Sequence, residues 1–112
     1  MVNVDIIKNK ENYIYSFCVS GHAEYAEEGS DIICSAVSVI VINTINSIEK
    51  FTEDDIEYIT DEGYIFVTLP QVKENNIVSR EADVLIKAMV FALDSMENDY
   101  GNEFIKINYR EV

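Results

Sequence analysis

The sequence is poor in cysteine, proline and glycine, and each shortage excludes a class of protein. Two cysteines in 112 residues are too few for a disulfide-stapled scaffold. One proline and four glycines leave no recognisable linker or low-complexity tract, so we expect a single domain over residues 1–112. With a cytoplasmic location as the default, both thiols are expected to stay reduced.

Basic residues are also few. Eight Lys and Arg stand against 21 Asp and Glu, which gives a net charge of -13. This charge argues against nucleic-acid phosphates or an anionic membrane as a direct partner, because both would repel it. It favours a basic peptide or protein, although solubility alone also accounts for it. A chain of this size buries a modest share of its surface, so a homodimer would help its stability.

Segments typical of export or of membrane insertion are missing. The N-terminal residues lack the basic region and long apolar stretch of a signal peptide. The most apolar run, Ile32 to Ile42, is interrupted by Ser35 and Ser38 and falls short of the ~20 residues that a membrane span needs. We therefore expect a cytoplasmic protein with no membrane partner.

Alternation of apolar and polar residues predicts five strands. Residues 2–7 and 13–21 form a first hairpin, and residues 56–60 and 64–70 form a second. Residues 104–112 alternate again and predict a closing strand. Runs of paired strands are typical of a mostly antiparallel sheet.

Two helices are predicted between these strands. Residues 31–50 carry no turn signal, and such a length is ordinary for a helix but long for a strand. Ser79 is a suitable N-cap for the second helix, and Gly101 is suited to end it. The expected fold class is therefore α+β, a single domain in the order ββαββαβ with two helices layered on the sheet.

The only histidine, His22, and one of the cysteines, Cys34, form a candidate catalytic pair. His22 follows a predicted strand end, and Cys34 falls in the first turn of the first predicted helix. The helix dipole and unpaired backbone N–H groups there favour a thiolate over a thiol. An adjacent imidazole would supply the acid and base, and helix amides would donate to an oxyanion. Asp31 and Ser38 share this helix face at spacings of three and four.

The residues alone leave other interpretations open. In one alternative, Cys34 is a core cysteine and His22 a surface histidine, with Asp31 only capping the helix. A zinc site from Cys18, His22 and Cys34, with Asp31 or Glu24 as a fourth ligand, lacks the usual paired spacing. A redox pair of Cys18 with Cys34 lacks the C-x-x-C arrangement.

Residues 21–38, GHAEYAEEGSDIICSAVS, resemble the signature of the bacterial ribosomal-processing cysteine protease family, Prp. That family shows Gly-His-Ala, a loop of similar length, and Gly-x-Asp-x-x-Cys-small-small-x-Ser before a long apolar helix. Alanine is common in the family where Ser35 stands. The resemblance covers nearly the whole chain, including the closing IKINYREV. The matching positions are Gly21, His22, Ala23, Gly29, Asp31, Cys34, Ser35, Ala36 and Ser38.

The resemblance implies a role for each of these residues. Cys34 would be the nucleophile and His22 the general base and acid, with Asp31 and Ser38 supporting the site and no metal or other cofactor. The implied substrate is large-subunit ribosomal protein number twenty-seven, made with a short N-terminal extension. Removing the extension after an aromatic-rich segment exposes a basic, glycine-rich arm. Members of the family are dimers.

The polar segment between the histidine and the cysteine is the candidate substrate loop. Its residues resemble those of a family loop that moves over the substrate, and its glutamates would steer a basic peptide. An alternative is a non-catalytic, acidic dimeric module that binds a basic ribosomal protein or an assembly intermediate. The loop candidates are Gly21, Ala23, Glu24, Glu27, Glu28 and Gly29.

Overall fold

A computed structural model describes residues 1–21 and 30–112, with the backbone alone for Ser30 and Asp31. The strands are β1 (Val2–Lys8), β2 (Ile14–Ser20), β3 (Glu57–Asp61), β4 (Tyr64–Thr68) and β5 (Ile105–Glu111). The helices are α1 (Ser30–Phe51), α2 (Pro70–Asn75) and α3 (Arg80–Tyr100). The predicted α+β class and the order ββαββαβ, with two main helices, are confirmed.

The five strands form one sheet in the order β3-β4-β2-β1-β5. Three of the pairings are antiparallel, as predicted, and the β1–β5 pairing is parallel. A strand parallel to β1 must start at the same end of the sheet as β1, so the chain needs a crossover connection to reach that end. Helix α3 precedes β5 and brings the chain back to that end.

The core lies between one face of the sheet and the two long helices. Val4 of β1 and Phe17 of β2 are fully buried on this face, as are Val41 of α1 and Leu93 of α3. The intervening strand residues point to the opposite face, because side chains alternate along a strand. That face carries partly buried residues such as Cys18 and is not layered by α1 or α3.

Helix α1 is the central core helix. By length and composition alone, its residues Ile32–Phe51 would suffice to cross a membrane, with a mean hydropathy of 1.7. The apolar stretch is thus longer than the run to Ile42 that the sequence suggested. Its side chains at Ile33, Val37 and Ile45 are buried in the same core as the sheet residues. A core helix of this kind has the same composition as a membrane span.

The ends of α3 follow local signals. The Ser79 side chain accepts a hydrogen bond from the Ala82 N–H at 3.0 Å, which confirms the predicted N-cap. Gly101, with a φ of 85°, ends the helix and donates its N–H to the Glu97 carbonyl. Ala82 and Met89 are among the residues that α3 buries against the core.

The sequence predicted a strand as far as Pro70 and then a plain connection, but this segment contains the short helix α2. Pro70 is instead the first helical residue, where its missing N–H has no cost. Val72 is 1% exposed, and Asn76 ends the helix in the left-handed region with a φ of 57°. Burial of the Val72 side chain therefore stabilises this short helix.

Candidate active site

Gly21 ends the second strand and sets the direction in which the chain leaves the sheet. Its φ of 80° lies in the left-handed region that favours glycine. A Cβ at this position would also overlap the carbonyl oxygen of Met1. Both constraints require glycine at the residue that precedes the motif histidine.

Cys34 is the fifth residue of α1, just past the first turn of the helix. The sequence predicted a helix start at Ser30 or Asp31 with Cys34 in the first turn, and α1 begins at Ser30, the earlier of the two positions. The dipole effect decays within the first turn, so it is weaker at Cys34 than the sequence suggested. The side chain is only 9% exposed and belongs to the core cluster. The sulfur therefore lies at the boundary between the core and the start of the helix.

The neighbours of Cys34 on α1 have different surroundings. Ser38 lies one turn further along the same helix face and is half-buried. Ser35, at the position where the family commonly has alanine, is exposed, so its hydroxyl is solvated without cost to the packing. Asp31 is the second residue of the helix rather than its N-cap, and its side chain lies outside the described residues.

The remaining predicted site residues fall in the segment that the structure does not describe. This segment joins the end of β2 to the start of α1, so the sequence places the histidine between Gly21 and the helix that carries Cys34. A contact between the histidine and the cysteine therefore stays a prediction. The residues concerned are His22, Ala23, Glu24, Glu27, Glu28 and Gly29.

The second cysteine, Cys18, lies on the other side of the sheet. Phe17 and Val19 on either side of it face the core, so Cys18 faces away from α1 and Cys34. The sheet thus separates the two sulfur atoms, which excludes a redox pair and a zinc site that would use both. Among residues 1–21 and 30–112, no group of three acidic, His or Cys residues is placed to hold a metal.

The environment of Cys18 does not favour a thiolate. Burial raises the pKa of the Cys18 thiol, and its hydrogen bond with Tyr64 opposes that shift only in part. The Asp5 carboxylate raises the same pKa further. The raised pKa disfavours the thiolate, which argues against Cys18 as a competing nucleophile.

Tyr64 lies at the end of the sheet where the chain departs toward the motif, although no sequence signal singled it out. It pairs with Ser20, the residue before Gly21, at the end of the sheet that leads into the motif. Its position depends on the register between β4 and β2, which local sequence patterns do not reveal. Its side chain is hydrogen-bonded to Cys18, so the ring lies on the face of the sheet that points away from Cys34.

Comparison with known proteins identifies the family. The family model for cysteine protease Prp matches residues 1–106. The ribosomal processing cysteine protease Prp of Staphylococcus aureus is 32% identical over 112 residues, covering 98% of this chain and 100% of that protein.

Two crystal structures of the Staphylococcus aureus protease share the fold. The complex with a substrate peptide has a TM-score of 0.85 at 27% identity and covers 97% of this chain and 99% of that one. The complex with a covalently linked product peptide has a TM-score of 0.80 at 31% identity and the same coverage. With its motif at the start of α1 and its fold matched over nearly the full length, the chain belongs to the Prp family of ribosomal-processing cysteine proteases.

Proposed function

We propose that this protein removes the N-terminal extension of large-subunit ribosomal protein number twenty-seven during ribosome maturation, in the cytoplasm. The observation that carries the proposal is the placement of Cys34 within the family motif, buried at the start of α1 in a fold that matches the Staphylococcus aureus protease. That relative binds a substrate peptide. The substrate itself comes from the family resemblance, and the net charge of -13 suits a basic protein.

The proposed mechanism is acyl transfer to Cys34. The thiolate Sγ attacks the scissile carbonyl carbon, and backbone N–H groups near the start of α1 stabilise the oxyanion that forms. The intermediate collapses as the C–N bond breaks, and His22 gives its proton to the leaving amine. His22 then takes a proton from water, whose oxygen attacks the thioester carbonyl carbon. The C–S bond breaks, which releases the carboxylic acid and restores the Cys34 thiolate beside protonated His22.

The covalently linked product peptide on the Staphylococcus aureus relative supports covalent chemistry in this family. In this chain Ser38 would contribute to the packing beside Cys34, from one helical turn away. Asp31 would orient His22 or interact with the positive end of the helix. No metal or cofactor enters the mechanism.

The segment from Gly21 to Gly29 is proposed to close over the bound peptide. Its glutamates would attract a basic substrate and raise the rate of association. We also propose a homodimer. Its support is the small size of the chain and the exposure of Val39 on α1 and Phe91 on α3, which are 67% and 73% exposed.

A cleavage assay tests the function. The purified protein is mixed with the extended ribosomal protein from the same source, and the products are identified by mass spectrometry. Cys34→Ala and His22→Ala are each expected to lower kcat by a factor of at least roughly 10³, as loss of a nucleophile or its base does in other covalent enzymes.

The second cysteine provides a matched control. Cys18→Ala also removes one thiol, but from the opposite face of the sheet, and should retain cleavage. An intact substrate, or cleavage that survives Cys34→Ala, would contradict the proposal. Binding of the substrate without turnover, insensitive to thiol alkylation, would instead indicate the non-catalytic binding module.

A further inference from the structure

Strand β3 forms one edge of the sheet and is open to solvent along its length. It pairs with β4 alone, and all five of its residues are exposed. On the face of the sheet that packs against α1, the Tyr58 hydroxyl donates to the Glu49 carboxylate of that helix at 3.2 Å. This contact fixes the strand without covering its backbone edge.

The backbone groups that face outward from β3 are identified by the pairing pattern. Leu69 donates its N–H to the Tyr15 carbonyl, so the odd-numbered residues at this end of β4 bond toward β2. The even-numbered residues of β4 therefore bond toward β3, since alternate residues of a central antiparallel strand face opposite neighbours. By the register, Tyr58 and Thr60 then direct their N–H and C=O groups away from the sheet.

At the opposite edge of the sheet, side chains of α3 bind groups of the edge strand β5. There the Ile107 N–H of β5 donates to the Glu97 carboxylate of α3 at 2.7 Å. The Tyr109 hydroxyl of the same strand donates to the Asp94 carboxylate. Within the described chain no such side chain occupies the backbone edge of β3. Proteins normally protect exposed edges, so an uncovered one is available for pairing with another strand.

The charge around β3 selects the partner. The segment from residue 53 to residue 62 is strongly acidic and contains no Lys or Arg. Two copies of this edge would repel each other, because like charges directly opposite destabilise a strand pair. A cationic strand would meet the complementary charge. The acidic residues are Glu53, Asp54, Asp55, Glu57, Asp61 and Glu62.

The alternation of side chains narrows the partner further. Glu57, Ile59 and Asp61 share the open face of the sheet, and Ile59 is 62% exposed between the two carboxylates. A pairing strand would place its own alternate residues beside these three. Basic, apolar and basic side chains at alternate positions complement them best.

The edge also leads toward the candidate active site. Asp61 pairs with Tyr64, which in turn pairs with Ser20, the residue before Gly21. The tip of the β3–β4 hairpin thus lies at the sheet end from which the motif departs. Two strand spacings, about 10 Å, separate β3 from β2.

We propose that the outer edge of β3 is a docking site for a cationic, extended polypeptide segment, which adds to the sheet as a sixth strand. Resting on the proposed function, we assign this segment to the basic part of the protein substrate, away from the scissile bond. The edge then holds the substrate while the peptide to be cut reaches Cys34.

A binding titration tests the edge without requiring cleavage. The probe is a fluorescein-labelled nonapeptide with lysines on either side of a valine at alternate positions, followed by anisotropy at low salt. Thr60→Pro removes an outward N–H at a position where an edge strand tolerates proline. We expect it to weaken binding at least roughly fivefold, whereas Thr60→Ala, which keeps the N–H, stays within about twofold of wild type. Circular dichroism checks that both variants are folded.

A charge series gives a second readout. Glu57→Gln, Asp61→Asn and Glu62→Gln together should weaken the same binding and flatten its dependence on salt. Glu11→Gln, Glu74→Gln and Glu103→Gln remove three exposed carboxylates elsewhere and should have a smaller effect. If the probe fails to bind wild type, or if Thr60→Pro and Thr60→Ala bind alike, the docking site is contradicted. The docking site is also contradicted if the triple variant at β3 and the triple variant elsewhere bind the probe equally well.

Kinetics separate this proposal from the proposed function. Thr60→Pro should raise KM for the extended ribosomal protein with kcat unchanged, and should leave cleavage of a short uncharged peptide across the scissile bond unaffected. Unchanged KM in a folded Thr60→Pro variant overturns the docking site but leaves Cys34-dependent cleavage intact. If wild type cuts neither substrate, the proposed function fails. The peptide titration still decides whether the edge of β3 binds a cationic peptide.

Discussion

At the scale of single residues, Gly21 couples the sheet to the motif. It has the positive φ that glycine favours, and the Met1 carbonyl occupies the space where a Cβ would be. Gly101 also has a positive φ, but nothing lies within 4 Å of its missing Cβ. A substitution at Gly101 would therefore strain only the backbone, whereas one at Gly21 would add a steric overlap with Met1.

We predict that Gly21→Ala lowers both stability and activity. Gly101→Ala should cost about 1–3 kcal/mol of unfolding free energy from backbone strain alone. Gly21→Ala should cost more, because the Met1 carbonyl must also move. It should further lower kcat/KM, since the chain is displaced just before His22, whereas Gly101→Ala should leave kcat/KM unchanged. Urea denaturation and the cleavage assay measure both effects, and equal losses for the two variants would contradict the role of Met1.

At the scale of elements, Tyr109 joins β5 to α3. Its hydroxyl lies 2.7 Å and 2.6 Å from the two carboxylate oxygens of Asp94. Tyr58 makes the comparable bond between β3 and α1, but at 3.2 Å and to a single oxygen of Glu49. The first bond is the shorter and, by geometry, the stronger of the two.

We predict that Tyr109→Phe destabilises the fold by about 1.5 kcal/mol, the low end for a hydrogen bond to a charged group, because the site is partly exposed. Tyr58→Phe, which removes the same atom from the weaker bond, should lower the free energy of unfolding by less.

Burial, followed by the Asp94 hydrogen bond, raises the pKa of Tyr109 well above its ordinary value of 10.0. The unfolded tyrosine ionises first as pH rises, so this stabilisation is complete below about pH 10 and declines above it.

Denaturation series at pH 7 and pH 11 measure this effect. Wild type should lose more stability than Tyr109→Phe over that interval, because only wild type carries the shifted group. Parallel declines in the two proteins would show that the Tyr109 phenol does not contribute.

The elements also show what the sequence can predict. Ser79 and Gly101 act on their immediate neighbours, so the ends of α3 were visible as local signals. Alternation likewise placed both hairpins. Helix α2 was missed because burial of Val72, a tertiary contact, stabilises it against a weak local pattern.

For the candidate site, the motif indicated the residues and their chemistry, and the fold added their surroundings. The position of Tyr64 beside Ser20, and of Cys18 behind the sheet, follows from strand register and from which face meets the helices. The open edge of β3 follows from strand order. These are long-range properties, which a local sequence pattern does not determine.

At the scale of the whole molecule, the net charge of -13 affects how two copies associate. We predict a particle of twice the 12.8 kDa chain mass by light scattering. The dimer fraction should rise between low and physiological salt, because screening reduces repulsion between the protomers. A single-chain mass at every salt and protein concentration would contradict the proposed homodimer.

The parallel pairing of β1 with β5 has a consequence for the path of folding. The two hairpins close over short stretches of chain, but this pairing joins Val2 to Ile105 and Lys8 to Glu111. Closing so long a loop has a large entropic cost, which no local contact offsets beforehand. The free side of β1 therefore stays unpaired until β5 has been synthesised. The protein that is proposed to trim a newly made ribosomal component thus depends, for its own sheet, on a strand that is synthesised after the other four.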